Sequence, residues 1–252
     1  MDEIQQEATI ERNGLGCHKP GMWDKIVDVH HCHLQADPSN EIRNALRTYA
    51  LENQLEFFDP RNQSGFLRTL MIRNTQEGEV MVLLQFYKEH KKNREAILDF
   101  IVSKFPQLTS LLYCINTKPN DSIYDQDIHC YHGQDYITEN LDQLQFKITA
   151  KSFYQTNPQQ AKVLYKIAKD FAALKPNEVV YDLYTGTGTI ALSLAASCAK
   201  IIGIESVPEA IDAAQENALV NQIQNAHFEV GDMKAVFNDS FISRHGKADV
   251  VI

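Results

Sequence analysis

No apolar run in the 252 residues approaches the ~18–20 needed to cross a bilayer. The opening Met1-Asp2-Glu3 lacks the apolar stretch of a signal peptide. Cysteine is scarce, and its five copies are odd in number and widely spaced. Without an export signal they are expected as reduced thiols of a cytoplasmic protein, not as a disulfide framework. There is one tryptophan, Trp23. Positive charge is short as well: Lys+Arg are 24 against Asp+Glu 33, a formal net charge of −9. That balance argues against a protein that holds nucleic acid by bulk charge alone. What is present, 44% hydrophobic and 23% charged residues, excludes a disordered tail and suits two ordinary domains.

The acidity is uneven. Residues 1–145 carry a net −8, whereas 146–252 hold 10 basic and 11 acidic groups, and seven of the nine histidines fall in the first part. Two domains are therefore expected, 1–145 and 146–252. The first reads as α+β. Pro20-Gly21 marks a hairpin between Gly16–His18 and Trp23–Val29. Ile42, Ala45, Leu46 and Tyr49 recur at helical spacing after Asp37-Pro38. Phe66–Arg73, Val80–Tyr87 and Ser110–Asn116 read as strands, and Ile97, Phe100, Ile101 and Phe105 mark a helix. Asn120–Tyr136 is polar and reads as irregular.

The second part alternates helix and strand, the pattern of a parallel α/β sheet. Asn157-Pro158 caps a helix whose apolar face is expected at Ala161, Leu164, Ile167, Ala168 and Phe171. Strands are expected at Val179–Leu183, Lys200–Glu205 and Ala226–Val230, with helices at Ile190–Cys198 and from Pro208 to about Val220. Ala248–Ile252 starts a fourth strand, and the four are expected in the order 3-2-1-4. Such a strand is normally flanked on both sides, so the chain reads as a C-terminally truncated piece of a longer protein.

The main functional signal is Asp182-Leu183-Tyr184-Thr185-Gly186-Thr187-Gly188-Thr189. A glycine-rich turn after the first strand of such a sheet lets backbone approach a ligand, and the helix that follows offers free N–H groups. By itself this turn fits a dinucleotide as well, with Ala191 in the third position. Two carboxylates discriminate. Glu205 ends the second strand, where it can accept both hydroxyls of a ribose. Asp182 precedes the turn, where its charge would repel a pyrophosphate but suits a sulfonium cofactor. Asp182 is equally readable as a loop brace bonded to local backbone. Gly231-Asp232 ends the third strand, within reach of an adenine.

This constellation resembles the class I S-adenosylmethionine-dependent methyltransferases, with a Rossmann-like domain. The segment upstream is more specific. Phe146–Ala161 (FKITAKSFYQTNPQQA), then Asp182–Leu192, Gly203-Ile204-Glu205, Asn217-Ala218 and Asn221, resemble the RNA uracil-C5 methyltransferases of 23S rRNA or tRNA. The match is close over about 140–252 and looser over 10–140. It implies S-adenosyl-L-methionine as cofactor and an RNA uridine as partner of the parent protein. It also implies that Gln155, Tyr184, Thr189 and Asp232 line the cofactor site beside Glu205, with Gly186 and Gly188 shaping the loop. The family form has Cys where Thr185 stands, a departure expected to matter little. The rival readings are a class I methyltransferase with another substrate, an NAD(P)-dependent oxidoreductase and a non-catalytic RNA-binding protein.

The family's chemistry needs a Cys thiolate that adds to uracil C6 and a carboxylate that takes the C5 proton. In the family both lie beyond the position matching Ile252, and none of Cys17, Cys32, Cys114, Cys130 and Cys198 fits the nucleophile's motif. No catalytic residue is assigned, and the 252-residue chain is expected to bind cofactor at best weakly and not to methylate. Cys17-His18 and His30–His33 raise a metal site, but their spacing fits no zinc signature, so no metal is assigned. Arg43, Arg47, Arg61, Arg68, Arg73, Lys88, Lys91, Lys92 and Arg94 are candidate RNA contacts beside Phe57, Phe58 and Phe66, against the alternative of a solvated face interleaved with acids.

Overall fold

A computed structural model describes residues 13–252, which leaves the acidic start at Met1–Glu3 outside the described residues. The chain divides into two compact units: residues up to 74 with 80–133, and 75–79 with 134–252.

In the first unit, β1 (Gly16–Lys19) and β2 (Met22–Asp28) form the expected hairpin. Gly21 takes φ +74°, which a turn of this kind reserves for glycine. Helix α1 (Ser39–Glu52) follows and buries Ile42, Ala45 and Leu46, as its periodicity predicts. Strands β3 (Leu67–Asn74) and β4 (Val80–Phe86), helix α2 (Lys91–Lys104), and strands β5 (Ser110–Ile115) and β6 (His129–Gly133) complete the unit. The sheet order is β3-β4-β5-β6. Only β4 and β5 are parallel, because α2 crosses between them; the outer pairs are antiparallel. Every residue of β4 is buried, which fits a strand with neighbours on both edges and a packed face on each side. Val82, Leu84 and Phe86 meet Ile42, Leu46, Ile97 and Ile101 in the core. β6 lies inside the segment expected to be irregular. Its sequence, HCYHG, has no apolar alternation, and backbone pairing with β5 rather than burial makes it a strand.

The second unit opens with the hairpin of β7 (Tyr136–Leu141) and β8 (Leu144–Thr149). Then come α3 (Pro158–Ala172), β9 (Val179–Leu183), α4 (Thr189–Ala195), β10 (Lys200–Glu205), α5 (Pro208–Val220) and β11 (Ala226–Val230). Two short helices, α6 (Met233–Val236) and α7 (Asp239–His245), precede β12 (Val250–Val251). The larger sheet is all parallel in the order β11-β10-β9-β12, which is the expected 3-2-1-4 arrangement. Among the described residues no helix is long and apolar enough to cross a membrane.

Three details differ from expectation. The junction read at 145/146 falls within β8, because the β7–β8 hairpin packs onto this unit. Leu141 and Phe146 meet Ala161, Tyr165 and Leu192, and the Lys147 N–H donates to Asn217 Oδ1 at 2.9 Å. Helix α3 is capped as predicted, Asn157 Oδ1 accepting from the Gln160 N–H at 3.1 Å. Its packed face is different, however. Ala161 and Tyr165 turn inward against Phe146, while Leu164, Ile167 and Phe171 point outward, Phe171 87% exposed. Third, α6 and α7 went unread because the segment is short and polar. Phe241 of α7 is nonetheless fully buried, its ring 5.1 Å from that of Tyr181.

Candidate cofactor site

The glycine loop runs from the end of β9 into α4. Tyr184 opens it at φ +68° with its side chain 71% exposed. Gly186 (φ +55°) and Gly188 (φ +81°) occupy left-handed backbone, where a Cβ is strained. A Cβ on Gly186 would meet nothing within 4 Å, so open space lies above the loop at that residue. A Cβ on Gly188 would sit 3.1 Å from Ala214 and Phe228, so that glycine serves packing as well as the turn.

Thr185 fixes the loop from below. Its N–H donates to the Ile204 carbonyl at 3.0 Å, and its carbonyl accepts from the Gly188 N–H at 2.9 Å. Its hydroxyl donates to Asp182 Oδ2 at 2.7 Å, and the same oxygen accepts the Ala191 N–H at 3.1 Å. Asp182 is only 3% exposed, and burial pushes its carboxyl up to about 6 despite those two donors. Gly203 makes the room: a Cβ there would lie 2.8 Å from Thr185 Oγ1 and Cγ2. The Cys-to-Thr departure therefore has a consequence, because the hydroxyl supplies one of the two hydrogen bonds to a buried carboxylate.

Glu205, at the end of β10, reaches across to the same loop. Its Oε2 accepts the Gly186 N–H at 3.2 Å, and its Oε1 accepts the N–H groups of Ser206 and Val207 at 2.7 and 3.0 Å. Its backbone carbonyl accepts the Gly231 N–H at 2.8 Å, tying the ends of β10 and β11 together. Asp232 is exposed and caps α6, accepting the Lys234 N–H at 2.9 Å. Thr189 starts α4, its hydroxyl accepting from Tyr165 at 3.4 Å. Gln155 is exposed in the loop before α3.

The strand ends thus bring Asp182, Gly186, Gly188, Thr189 and Glu205 around one loop. Among the described residues no hydrogen bond joins Gln155 or Asp232 to that group. Three supporting residues received no role from the sequence: Thr185, Tyr165 and Asn217. Asn217 is fully buried in α5, and its Nδ2 donates to the Thr187 carbonyl at 3.2 Å. An asparagine on the inner side of an alanine-rich helix was the available signal.

The candidate RNA contacts of the first unit fare differently. Arg43 and Arg47 are buried; Arg43 Nε donates to the Val29 carbonyl at 2.7 Å, and Arg47 holds Asp28 at 2.5 Å and the Leu15 carbonyl at 2.9 Å. Burial alone would raise the Asp28 carboxyl, but the Leu15 N–H and Arg47 hold it below its usual range. Arg68 donates to the carbonyls of Asn116, Lys118 and Asn120 at 2.6–2.8 Å and lies 4.5 Å from the Phe58 ring centre. Arg61 pairs with Asp24, Arg94 with Glu89, and Lys88 with Glu56. Phe66 is 3% exposed. Arg43, Arg47 and Arg68 thus hold the unit together, whereas Arg61 and Lys88 are ion-paired at its surface. Of the histidines, His30 sits between Asp28 and Arg47, each 3.2 Å away. Among the described residues no three His, Cys, Asp or Glu side chains are grouped to hold a metal ion.

A parallel sheet in this order, with a glycine loop after its first strand and a carboxylate ending its second, defines an α/β methyltransferase domain. Residues 174–252 match a protein-family model described as a methyltransferase domain. The chain is 54% identical over its whole length to a protein of Porphyromonas gingivalis named as an uncharacterized RNA methyltransferase, and covers 55% of it. A protein of the same name from Bacteroides thetaiotaomicron is 48% identical over the whole chain, which covers 56% of it. Among solved structures, the tRNA (uracil-54, C5)-methyltransferase of Pyrococcus abyssi, in complex with S-adenosyl-L-homocysteine, superposes with a TM-score of 0.70. It is 27% identical, over 83% of this chain and 50% of that one. The chain is similar to these RNA methyltransferases over most or all of its length, and it spans about half the length of the relatives named here.

Proposed function

We propose that the chain is the cofactor-binding part of an S-adenosylmethionine-dependent methyltransferase that forms 5-methyluridine in rRNA or tRNA. The observation that carries this is Glu205. Its carboxylate stands at the end of β10, bonded to the glycine loop through the Gly186 N–H, beside the open space over that residue. A carboxylate there suits a ribose diol, and a loop without a Cβ suits close approach by the rest of the nucleoside. The residues present therefore fit the cofactor. Glu205 would hold the ribose, Tyr184, Gln155 and Thr189 would line the site, and Asp232 would stand near the adenine. Asp182 braces the loop from inside. When bound, the cofactor supplies an electrophilic methyl group.

Nothing within the 252 residues is assigned as nucleophile or base, so the reading is of a piece that binds cofactor and does not turn over. Titration calorimetry with S-adenosylhomocysteine tests it. Weak binding is expected, to be weakened further, at least tenfold, by Glu205→Ala, with no heat from NAD or NADP. Equal binding by the Ala variant, or preference for a dinucleotide, would overturn it. Methylation of a uridine-containing RNA by the 252-residue chain would overturn the expectation of inactivity.

A further inference from the structure

The β1–β2 hairpin carries the chain's one tryptophan, and it carries it outward: Trp23 is 65% exposed. Met22, Ile26 and Val27 of the same strand are 38–49% exposed. Trp23, Met22 and Ile26 line a groove from this strand, so exposed apolar side chains there mark a candidate binding place. The hairpin forms one wall of a groove of about 1650 Å³, whose other side includes Phe57, Phe58 and Arg61. Its lining includes the apolar Leu46, Leu84 and Ile97 and the acidic Asp24, Asp28, Asp59 and Asp121, of which Asp24 and Asp28 are paired with Arg61 and Arg47.

Charge distinguishes this hairpin from the rest of its unit. Most of the arginines and lysines singled out above are committed to carboxylates or carbonyls of the same unit. Lys19 and Lys25 are exposed on the hairpin and have no ion-pair partner among the described residues. An aromatic ring open to solvent, two exposed lysines on the same hairpin and a groove lined by apolar and polar groups have the chemistry of a base-stacking platform. A purely apolar peptide would leave the lysines without a counter-charge. A duplex would keep its bases stacked on one another, away from the indole.

We propose that the β1–β2 hairpin binds single-stranded RNA, the Trp23 indole stacking on a base while Lys19 and Lys25 meet the flanking phosphates. This rests on the reading of the chain as part of an RNA methyltransferase and gives that RNA a docking place in the first unit. The net charge of the chain does not oppose it, because the contact depends on two local cations and one ring.

With one tryptophan in the chain, its emission reports on this hairpin alone. The full 252-residue chain is titrated with a fluorescent uridine-rich single-stranded oligonucleotide. RNA binding is read by anisotropy, and Trp23 emission is read in parallel. Saturable quenching is expected to follow the anisotropy curve, with little response to a duplex of the same composition. Trp23→Ala is expected to weaken binding about tenfold and Trp23→Phe less, in line with stacking on one base. Lys19→Ala with Lys25→Ala should flatten the salt dependence by about 1.4 in log–log slope, for two phosphates of a single strand. Affinity for S-adenosylhomocysteine should not change in any of these variants. RNA binding with unchanged emission, or equal affinity of wild type and Trp23→Ala, overturns the hairpin site and leaves the methyltransferase reading intact. Absence of RNA binding by anisotropy overturns the RNA reading and the site together. Quenching by an apolar peptide and not by RNA overturns the site in favour of a protein partner.

Discussion

The two units use buried and half-buried charge in opposite ways. In the first, guanidinium groups turn inward and gather carbonyls: Arg47 ties Leu15, Val29 and Asp28 to α1, and Arg68 collects three carbonyls of the segment 116–120. In the second, carboxylates turn inward and gather N–H groups: Asp182 takes Ala191, and Glu205 takes Gly186, Ser206 and Val207. An arginine has five donors and no acceptor, so it suits irregular chain whose carbonyls lack partners. A carboxylate only accepts, so it suits a loop that points its N–H groups at one place. The lesson concerns composition: a count of basic residues measures an outward field only after the inward-facing ones are set aside.

The largest effect should come from breaking an inward arginine. Arg47→Ala leaves Asp28 without its main cation and strips the Leu15 and Val29 carbonyls of a donor. Arg47 is buried but the Asp28 side chain is 34% exposed, so the loss should fall near the low end of the about 3–5 kcal/mol for a fully buried pair. Urea unfolding followed by Trp23 emission should show that loss in the first unit. Arg47→Lys should recover only part of it, since an ammonium cannot span three acceptors in a plane. A loss below about 1 kcal/mol would mean that the hairpin is held by other contacts. Lys88→Ala is the control, because the Lys88–Glu56 pair is exposed and worth about 0–1 kcal/mol.

A smaller effect, with a direction in pH, is expected at Asp182. Its carboxyl binds a proton at about 6 in the folded loop, against an ordinary 3.8 when solvated in the unfolded chain. Between those values the folded chain holds a proton that the unfolded chain has released. Stability contributed by this group therefore falls as pH rises from about 4 to 6 and is level above that. The span is about 3 kcal/mol at ~1.4 kcal/mol per unit. The wild-type minus Asp182→Asn difference in unfolding free energy should trace that fall. A flat difference across the window would show that the carboxylate is not desolvated.

Much of the second unit could be read from sequence, and the reason is local. β9, β10, α5 and β11 have the expected bounds because their limits are written locally: three short apolar strands, the last stopped by Gly231, and a helix opened by Pro208 and ended at Asn221. Glu205 and the two glycines were legible as a candidate site for the same reason, since their positions follow from where strands end. What was not legible depended on tertiary partners. β6 exists because β5 needs a neighbour, α3 turned its packed face to meet Phe146, and Thr185 gained importance only once Gly203 proved to make room for it. The inward arginines were hidden because a sequence gives charge and no direction.

Thr185 allows the finest comparison, since one side chain supplies both shape and a donor. Thr185→Val keeps the branched shape beside Gly203 and removes the hydroxyl. Asp182 is then left with the Ala191 N–H alone, at a cost of about 1–3 kcal/mol for a buried acceptor short of a partner. Thr185→Cys, the residue that the family form carries, keeps a weak donor and loses the methyl that packs against Gly203. Its cost should fall between zero and that of valine. The expected order of stability is Thr, Cys, Val, read from unfolding of the second unit, with S-adenosylhomocysteine affinity in the same order. Valine should also drive the Asp182 carboxyl further up, moving the end of the pH-dependent window above 6. If cysteine equals threonine in both readouts, the Asp182 bond to Ala191 suffices, and the hydroxyl is a neutral feature of this loop. If valine equals threonine, Asp182 braces the loop through backbone alone, and the contrast between inward arginines and inward carboxylates narrows to Glu205.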